Sequence, residues 1–319
     1  MATKRITELQ LRDEVTDGLS IPSDDGIQSY RVTALQFKNY VAPTYFPPVL
    51  QKITTGSGTF YLPYSFLCTT ANATVGATYT HNSVTYTVVK TVASSTVVVM
   101  SGSAAPLSSG TLTKASGTGD TTIAFTVSRA PLQLVAEVLG GGGVGSPSGT
   151  TTPTLGSNGG DTTFGNLTAG GGVKGAYSVG SAAGGTGTVG SGWDGIAIPG
   201  ASGSKGVFGV VTTSEIYLGG LGGGSSLAGG GPGGYTTGGA APTNSGAGGG
   251  GGGISSAAGG VSGGGGGAGA TVKAVTAAAP AASYAYGVGA GGSGGTAGTS
   301  GALGGVGGDG LILVQAVYQ

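Results

Sequence analysis

Few residues in this chain are suited to chemistry. There is one histidine, His81, and one cysteine, Cys68. A Ser-His-Asp arrangement needs its histidine between nucleophile and carboxylate. His81 falls in His81-Asn82-Ser83, a predicted hairpin turn between Tyr79 and Val84, and reads as a surface residue. A metal site made of several His or Cys ligands cannot be assembled within one copy, and no cofactor is expected. Cys68 follows Phe66 and Leu67 and reads as a small buried apolar residue. Without a second cysteine it forms no internal disulfide. Glycosidase chemistry needs two carboxylates about 5–10 Å apart. Beyond residue 130 the candidates are Glu137, Asp161, Asp194, Glu215 and Asp309. Asp194 and Glu215 are the pair to check, whereas Asp161 and Asp309 read as turn residues before strands. Gly-x-Gly-x-x-Gly matches are frequent by chance here. The one preceded by a strand, at Leu134–Leu139, runs into Gly, Ser, Pro and Thr, which cannot form the helix a nucleotide loop requires. The expectation is a protein that is not an enzyme.

Aromatic residues are the other candidates. Tyr177, Trp193, Tyr235, Tyr284 and Tyr286 stand among glycine and small polar residues. Rigid aromatics in such surroundings resemble binding-loop composition, and their faces can stack on sugar rings. The alternative for each is that it fills a gap in the fold.

Composition narrows the partners. Formal net charge is zero and charged residues make up 8%, against about 25% in a typical domain. No basic face points to nucleic acid or to a membrane surface. Met1–Glu8 lacks the apolar core of a signal peptide. No run of about 20 apolar residues suggests a membrane helix. The chain is therefore expected to be made and assembled in a cytosol.

Three zones organise the 319 residues. Residues 1–50 carry five basic and six acidic side chains. A short strand ends at Asp24-Asp25-Gly26, a second spans Ile27–Val32, and Thr33 is a predicted N-cap for a short helix over Ala34–Tyr40. Residues 51–129 are rich in Thr, Val, Ser and Tyr, with strands expected at Val84–Val89, Ser95–Met100 and Thr121–Val127, as in an antiparallel sheet, sandwich or small barrel. Residues 130–319 hold 65 of the 74 glycines. Apolar strands at Pro131–Leu139 and Asp309–Tyr318 bracket this zone and are expected in one sheet. Strand-like islands lie at Asp161–Leu167, Ser204–Val211 and Ser214–Leu218.

Glycine loses the most backbone entropy on ordering, where each residue costs about 1–2 kcal/mol. A glycine zone folds only if its amides bond densely to neighbours. One solution packs extended helices of three residues per turn, whose N–H and C=O groups all point outward. The two bracketing strands, and Trp193, Phe208 and Tyr217 within the zone, argue for order over a flexible linker. Collagen is excluded because strict Gly-X-Y periodicity is missing.

Several stretches carry a family resemblance. Ile6-Thr7-Glu8-Leu9, Ile21-Pro22-Ser23-Asp24-Asp25-Gly26 and Tyr30-Arg31-Val32-Thr33-Ala34 are similar to the start of many tailed-bacteriophage fibre and virion proteins. Gly76–Tyr79, Val84–Val88 and Gly110–Asp120 resemble a small β module of such proteins. Glu137–Gly143, Asp161–Gly165 and Gly307–Val314 resemble the glycine-rich domain of phage fibres and fibre-tip adhesins. The resemblance implies a mainly β chain: an attachment segment over residues 1–50, a β module over 51–129, and an exposed glycine-rich domain over 130–319. That last domain is expected as a β sandwich or jelly roll with glycine loops, or as packed polyglycine-II segments. The resemblance also implies a virion location, a homotrimer and attachment to another virion protein through Ile6, Leu9, Ile21, Tyr30, Leu35, Phe37 and Tyr40. Receptor binding by the distal end follows as well, with a host glycan or outer-membrane protein as the expected partner and the five aromatics above as the candidate contacts. A head or collar decoration protein, a polysaccharide depolymerase and a silk-like matrix protein are the rival readings.

Overall fold

A computed structural model describes residues 19–22, 29–32, 48–69, 72–91, 97–177, 181–211, 214–254 and 259–318. The described residues are all-β, with antiparallel sheets and no helix. None of them forms a helix long and apolar enough to cross a membrane. The chain divides into two compact units, Met1–Phe46 and Pro47–Gln319.

In the first unit, β1 (Leu19–Pro22) pairs with β2 (Ser29–Val32), which sets Ile21 opposite Tyr30 in the backbone register. Of the proposed attachment residues, Ile6, Leu9, Leu35, Phe37 and Tyr40 lie outside the described residues, as does the helix expected at Ala34–Tyr40.

The second unit opens with β3 (Val49–Ile53) and β4 (Ser57–Tyr61), then a six-stranded closed barrel. The barrel strands are β5 (Pro63–Cys68), β6 (Thr78–His81), β7 (Val84–Thr91), β8 (Val97–Gly102), β9 (Gly110–Ser116) and β10 (Thr122–Arg129). Alternation puts Phe66, Tyr79, Tyr86, Met100, Leu112, Ile123 and Phe125 inside. Phe66 meets Tyr86 and Phe125 edge-on, with centroids 5.7 and 5.1 Å apart, the geometry favoured by the ring quadrupole. The hairpin expected at His81–Ser83 forms. Asn82 and Ser83 adopt φ of 49° and 63°, as a tight two-residue turn requires.

Two five-stranded sheets follow. One runs β15 (Trp193–Ile198), β18 (Thr271–Thr276), β11 (Gln133–Leu139), β20 (Leu311–Val317), β3. The other runs β14 (Gly187–Thr188), β13 (Leu167–Ala169), β12 (Thr162–Phe164), β19 (Ser283–Gly287), β4. The bracketing strands β11 and β20 are neighbours, paired from Gln133↔Val317 to Leu139↔Leu311. Leu134, Ala136, Val138, Val272, Ile312 and Val314 share a core with Phe60, Phe164, Leu167 and Ala169 of the second sheet. The sequence boundary at residue 51 falls inside β3. Both β3 and β4 join sheets whose other strands all come from beyond residue 130.

Beyond the sheets the glycine runs form a bundle of extended segments. In segment 140–149 the amides of Gly141, Gly142 and Gly143 donate to Gly160, Gly308 and Gly267, and those of Val144, Gly145 and Ser146 return to Ser157, Gly305 and Gly264. Donor direction therefore repeats every third residue. The carbonyls of Gly141, Gly142 and Gly143 accept from Gly172, Gly292 and Gly249, so the segment bonds to six neighbours. Segment 246–254 follows the same rule. Gly248, Gly249 and Gly250 donate to Gly223, Gly143 and Gly239, and accept from Gly231, Gly266 and Gly305. In segment 261–270, Gly266, Gly267 and Ala268 donate to Gly249, Val173 and Ala201, and accept from Gly223, Gly143 and Gly185. These three inner segments touch one another and are buried almost throughout.

An outer ring encloses them: segments 154–160, 170–175, 182–186, 200–204, 219–223, 230–234, 237–241, 302–310 and 289–298. Amide bonds link each to the next, from Gly159→Gly172 and Val173→Ala183 round to Gly307→Gly292 and Ser157→Ser293. Outer segments such as 170–175 and 302–310 bury every third residue, Gly172 and Gly175 or Gly305 and Gly308, and turn others to solvent, as with Leu303 and Val306. Glycine is needed here for space. A Cβ on Gly142, Gly250 or Gly266 would land on the carbonyl oxygen of Ala247, Pro232 or Gly143.

Candidate functional site

Chain direction alternates from one bundle segment to the next, so the connections fall at two ends. At one end the segments run into the sheets: β11 continues as 140–149, 261–270 leads into β18, and 302–310 leads into β20. At the other end the loops are free of the sheets. Loop 150–153, Tyr177, the β16 (Val207–Val211)–β17 (Ser214–Leu218) hairpin, loop 235–237, residues 259–260 and loop 299–301 gather there.

Hydrogen bonds tie these loops together. Thr150 N–H and Oγ1 both donate to the Thr299 carbonyl, at 2.9 and 3.0 Å. The Thr299 amide donates to Thr151 Oγ1 at 2.9 Å. Tyr177 Oη donates to the Gly149 carbonyl at 3.3 Å. Tyr217 and Ile254 exchange backbone bonds, and Tyr217 Oη donates to Glu215 Oε2 at 2.7 Å. The same carboxylate oxygen accepts from the Gly259 amide at 3.1 Å, which clasps the hairpin to the neighbouring loop. The bond to Glu215 raises the Tyr217 phenol above its ordinary range. On this framework Phe208 and Tyr235 stand 54% and 58% exposed, and Phe208 leans on Tyr217 with centroids 5.0 Å apart. A rigid, nearly uncharged surface with exposed rings can bind by stacking and apolar contact.

The five aromatics singled out in the sequence divide between the two ends. Tyr177 and Tyr235 belong to the loop-bearing end. Trp193, Tyr284 and Tyr286 sit in the sheets, where Trp193 is 7% exposed. The Phe164 ring stacks on Tyr284 at 5.2 Å and meets Trp193 edge-on at 5.9 Å. Trp193 and Tyr284 therefore pack in the core shared by the two sheets and leave little more than ring edges free. Phe208, named in the sequence only as a sign of order, is the exposed ring that the reading missed. Its place in Val207-Phe208-Gly209, on a hairpin far from both bracketing strands, was the available signal.

The polar candidates also find partners. Asp161 Oδ1 accepts from Gly171 N–H at 2.8 Å, and Asp309 Oδ1 from Gly291 N–H at 2.7 Å; both pin bundle segments where these meet the sheets. Asp194 lies in β15 and Glu215 in β17, so the pair is split between the sheet and the loop-bearing end. His81 faces the Thr111 carbonyl through Nδ1 at 2.9 Å, which places the proton on that nitrogen. Its ring lies edge-on to Phe125. Cys68 is buried, and burial pushes its thiol up to about 12. No His, Cys, Asp and Glu cluster suited to a metal ion occurs among the described residues.

Neither a family model, nor a curated protein, nor a solved structure matches this chain.

Proposed function

We propose that the chain is a rigid display protein, a scaffold whose work is to hold a set of loops in fixed relation at one end. More particularly, we infer a structural protein of a tailed-phage particle, a tail fibre or fibre tip that attaches to the host surface. The observation carrying this reading is the closed bundle, three inner segments in a ring of nine, bearing stitched loops with exposed Phe208 and Tyr235.

The segments are, in this reading, packed polyglycine-II helices. Support comes from the threefold rotation of donors, from burial of every third residue in outer segments such as 170–175 and 302–310, and from the lack of room for a Cβ at the inner glycines. The outward face of the β15–β18–β11–β20–β3 sheet leaves Leu50, Val135, Ile196 and Ile198 exposed. Apolar surface of this kind suits cover by other copies, in keeping with a homotrimer. Copy number would multiply weak contacts at the loops. The sequence resemblance supports attachment to the particle through residues 1–50.

The test is a phage carrying Phe208→Ala with Tyr235→Ala. Exposed aromatic anchors are worth on the order of 1 kcal/mol or more each, so adsorption is expected to fall by about tenfold or more, with particle yield unchanged. Unchanged adsorption refutes the receptor-binding role. Unstable particles with normal adsorption would favour a decoration protein of the head or collar.

A further inference from the structure

Away from the loop-bearing end, a cleft of about 500 Å³ opens where three turns of the sandwich meet. Gly165 and Gly192, with φ of 54° and 83°, shape two of those turns. They place Asn166 and Ser191 on the wall beside Trp193, while residues 277–283 supply the third side. Gly165 also makes room for the Tyr284 ring, since a Cβ there would stand 2.8 Å from Tyr284 Cδ1.

The lining combines ring edges with neutral hydrogen-bonding groups. Trp193 and Tyr284 form a corner, with centroids 5.5 Å apart and planes at 57°. The Asn166 amide donates through Nδ2 to the Ser191 carbonyl and hydroxyl, at 3.3 and 3.4 Å. Those bonds fix the side chain and leave Oδ1 without a partner among the described residues. The Ser283 hydroxyl, on the same cleft, is also without one. No charged side chain lines the cleft, so nothing there favours an anion or cation. An apolar ligand would leave the Asn166 and Ser283 groups unpaired, at a cost in affinity.

We propose that this cleft is a second, lateral binding site for a neutral saccharide. A pyranose ring rests its C–H groups against the ring edges that Trp193 and Tyr284 leave free at the cleft, and offers hydroxyls to Asn166 Oδ1 and to Ser283. The site is independent of the loop-bearing end, and either reading can fail without the other.

Trp193 is the sole tryptophan of the chain, so emission excited in the indole band beyond tyrosine absorption reports on this cleft. The full chain is titrated separately with maltotriose, cellotriose and chitotriose, against matched glycerol. At least one is expected to give a saturable emission change, weakened about threefold to tenfold by Asn166→Ala, the loss of one neutral hydrogen bond. Ala279→Phe, which fills the cleft from its exposed rim, is expected to abolish the change. No saturable change with any of the three in the wild type overturns the proposal. So does a change of equal midpoint in the wild type and in both variants.

Discussion

Gly250 lies in the inner segment 246–254, and replacing it with alanine tests the bundle at a crowded inner position. Its amide donates to Gly239 at 2.9 Å and its carbonyl accepts from Gly305 at 2.7 Å. An added Cβ would land on the Pro232 carbonyl, which itself accepts from Gly239 at 2.8 Å. Segment 230–234 must then move outward. Overpacking of this kind costs about 1–3 kcal/mol, and weakening two amide bonds adds about 0.5–1.5 kcal/mol each. The stiffer unfolded chain returns about 0.4–1 kcal/mol. The net is a loss of about 1–6 kcal/mol, or roughly 2–22 °C in Tm at about 2–4 °C per kcal/mol for a unit of this size. Gly229→Ala is the control: it meets nothing within 4 Å and has no left-handed φ, so its Tm should hold or rise slightly. Calorimetry gives both values, and hydrogen exchange of residues 246–254 locates the damage. Equal melting of the two variants, with unchanged exchange, would refute the six-neighbour arrangement.

Two further outcomes follow from the barrel and the loop clasp. Burial raises Cys68 to about 12 and also raises Tyr64, Tyr79 and Tyr86. From about pH 8 for the thiol and about pH 9 for the phenols, the unfolded chain releases these protons while the folded chain keeps them. The urea midpoint should therefore fall as pH climbs from about 8 to about 11; a flat profile over that range would contradict this. The native thiol at pH 8 should react with Ellman's reagent at least about a hundredfold more slowly than in the unfolded chain. Tyr217→Phe removes the bond to Glu215, so amide exchange at Gly259 should quicken while Tm changes little, and unaltered exchange would count against the clasp.

Much of the sheet framework was legible in the sequence. The β11–β20 pairing followed from two apolar runs with no other partner of like length, and the hairpin at Asn82–Ser83 from its turn residues. The bundle was legible only as a requirement that amides find partners. Which segment meets which depends on rotation by thirds, and sequence alternation does not record that. One signal was present. The unbroken runs Gly140–Gly143, Gly248–Gly253 and Gly263–Gly267 all fall in inner segments, where every side abuts a neighbour's carbonyl. Outer segments have an open side and so carry Val173, Leu221, Leu303 and Val306. The aromatics could not be sorted by composition, because glycine, alanine and small polar residues surround all five. The spacing of Tyr284 and Tyr286 by two did mark one face of a strand, where Tyr284 lines the core and the lateral cleft.

Three sheet strands pass without interruption into bundle segments 140–149, 261–270 and 302–310. Their bonds to neighbours run across the chain direction. A tug on the loops is thus met in shear, by many amides stretched at once, and cannot peel them open singly. The two inner segments among the three are gripped from six sides. Tension reaching the loops passes along these chains into β18, β11 and β20, three neighbouring strands of one sheet.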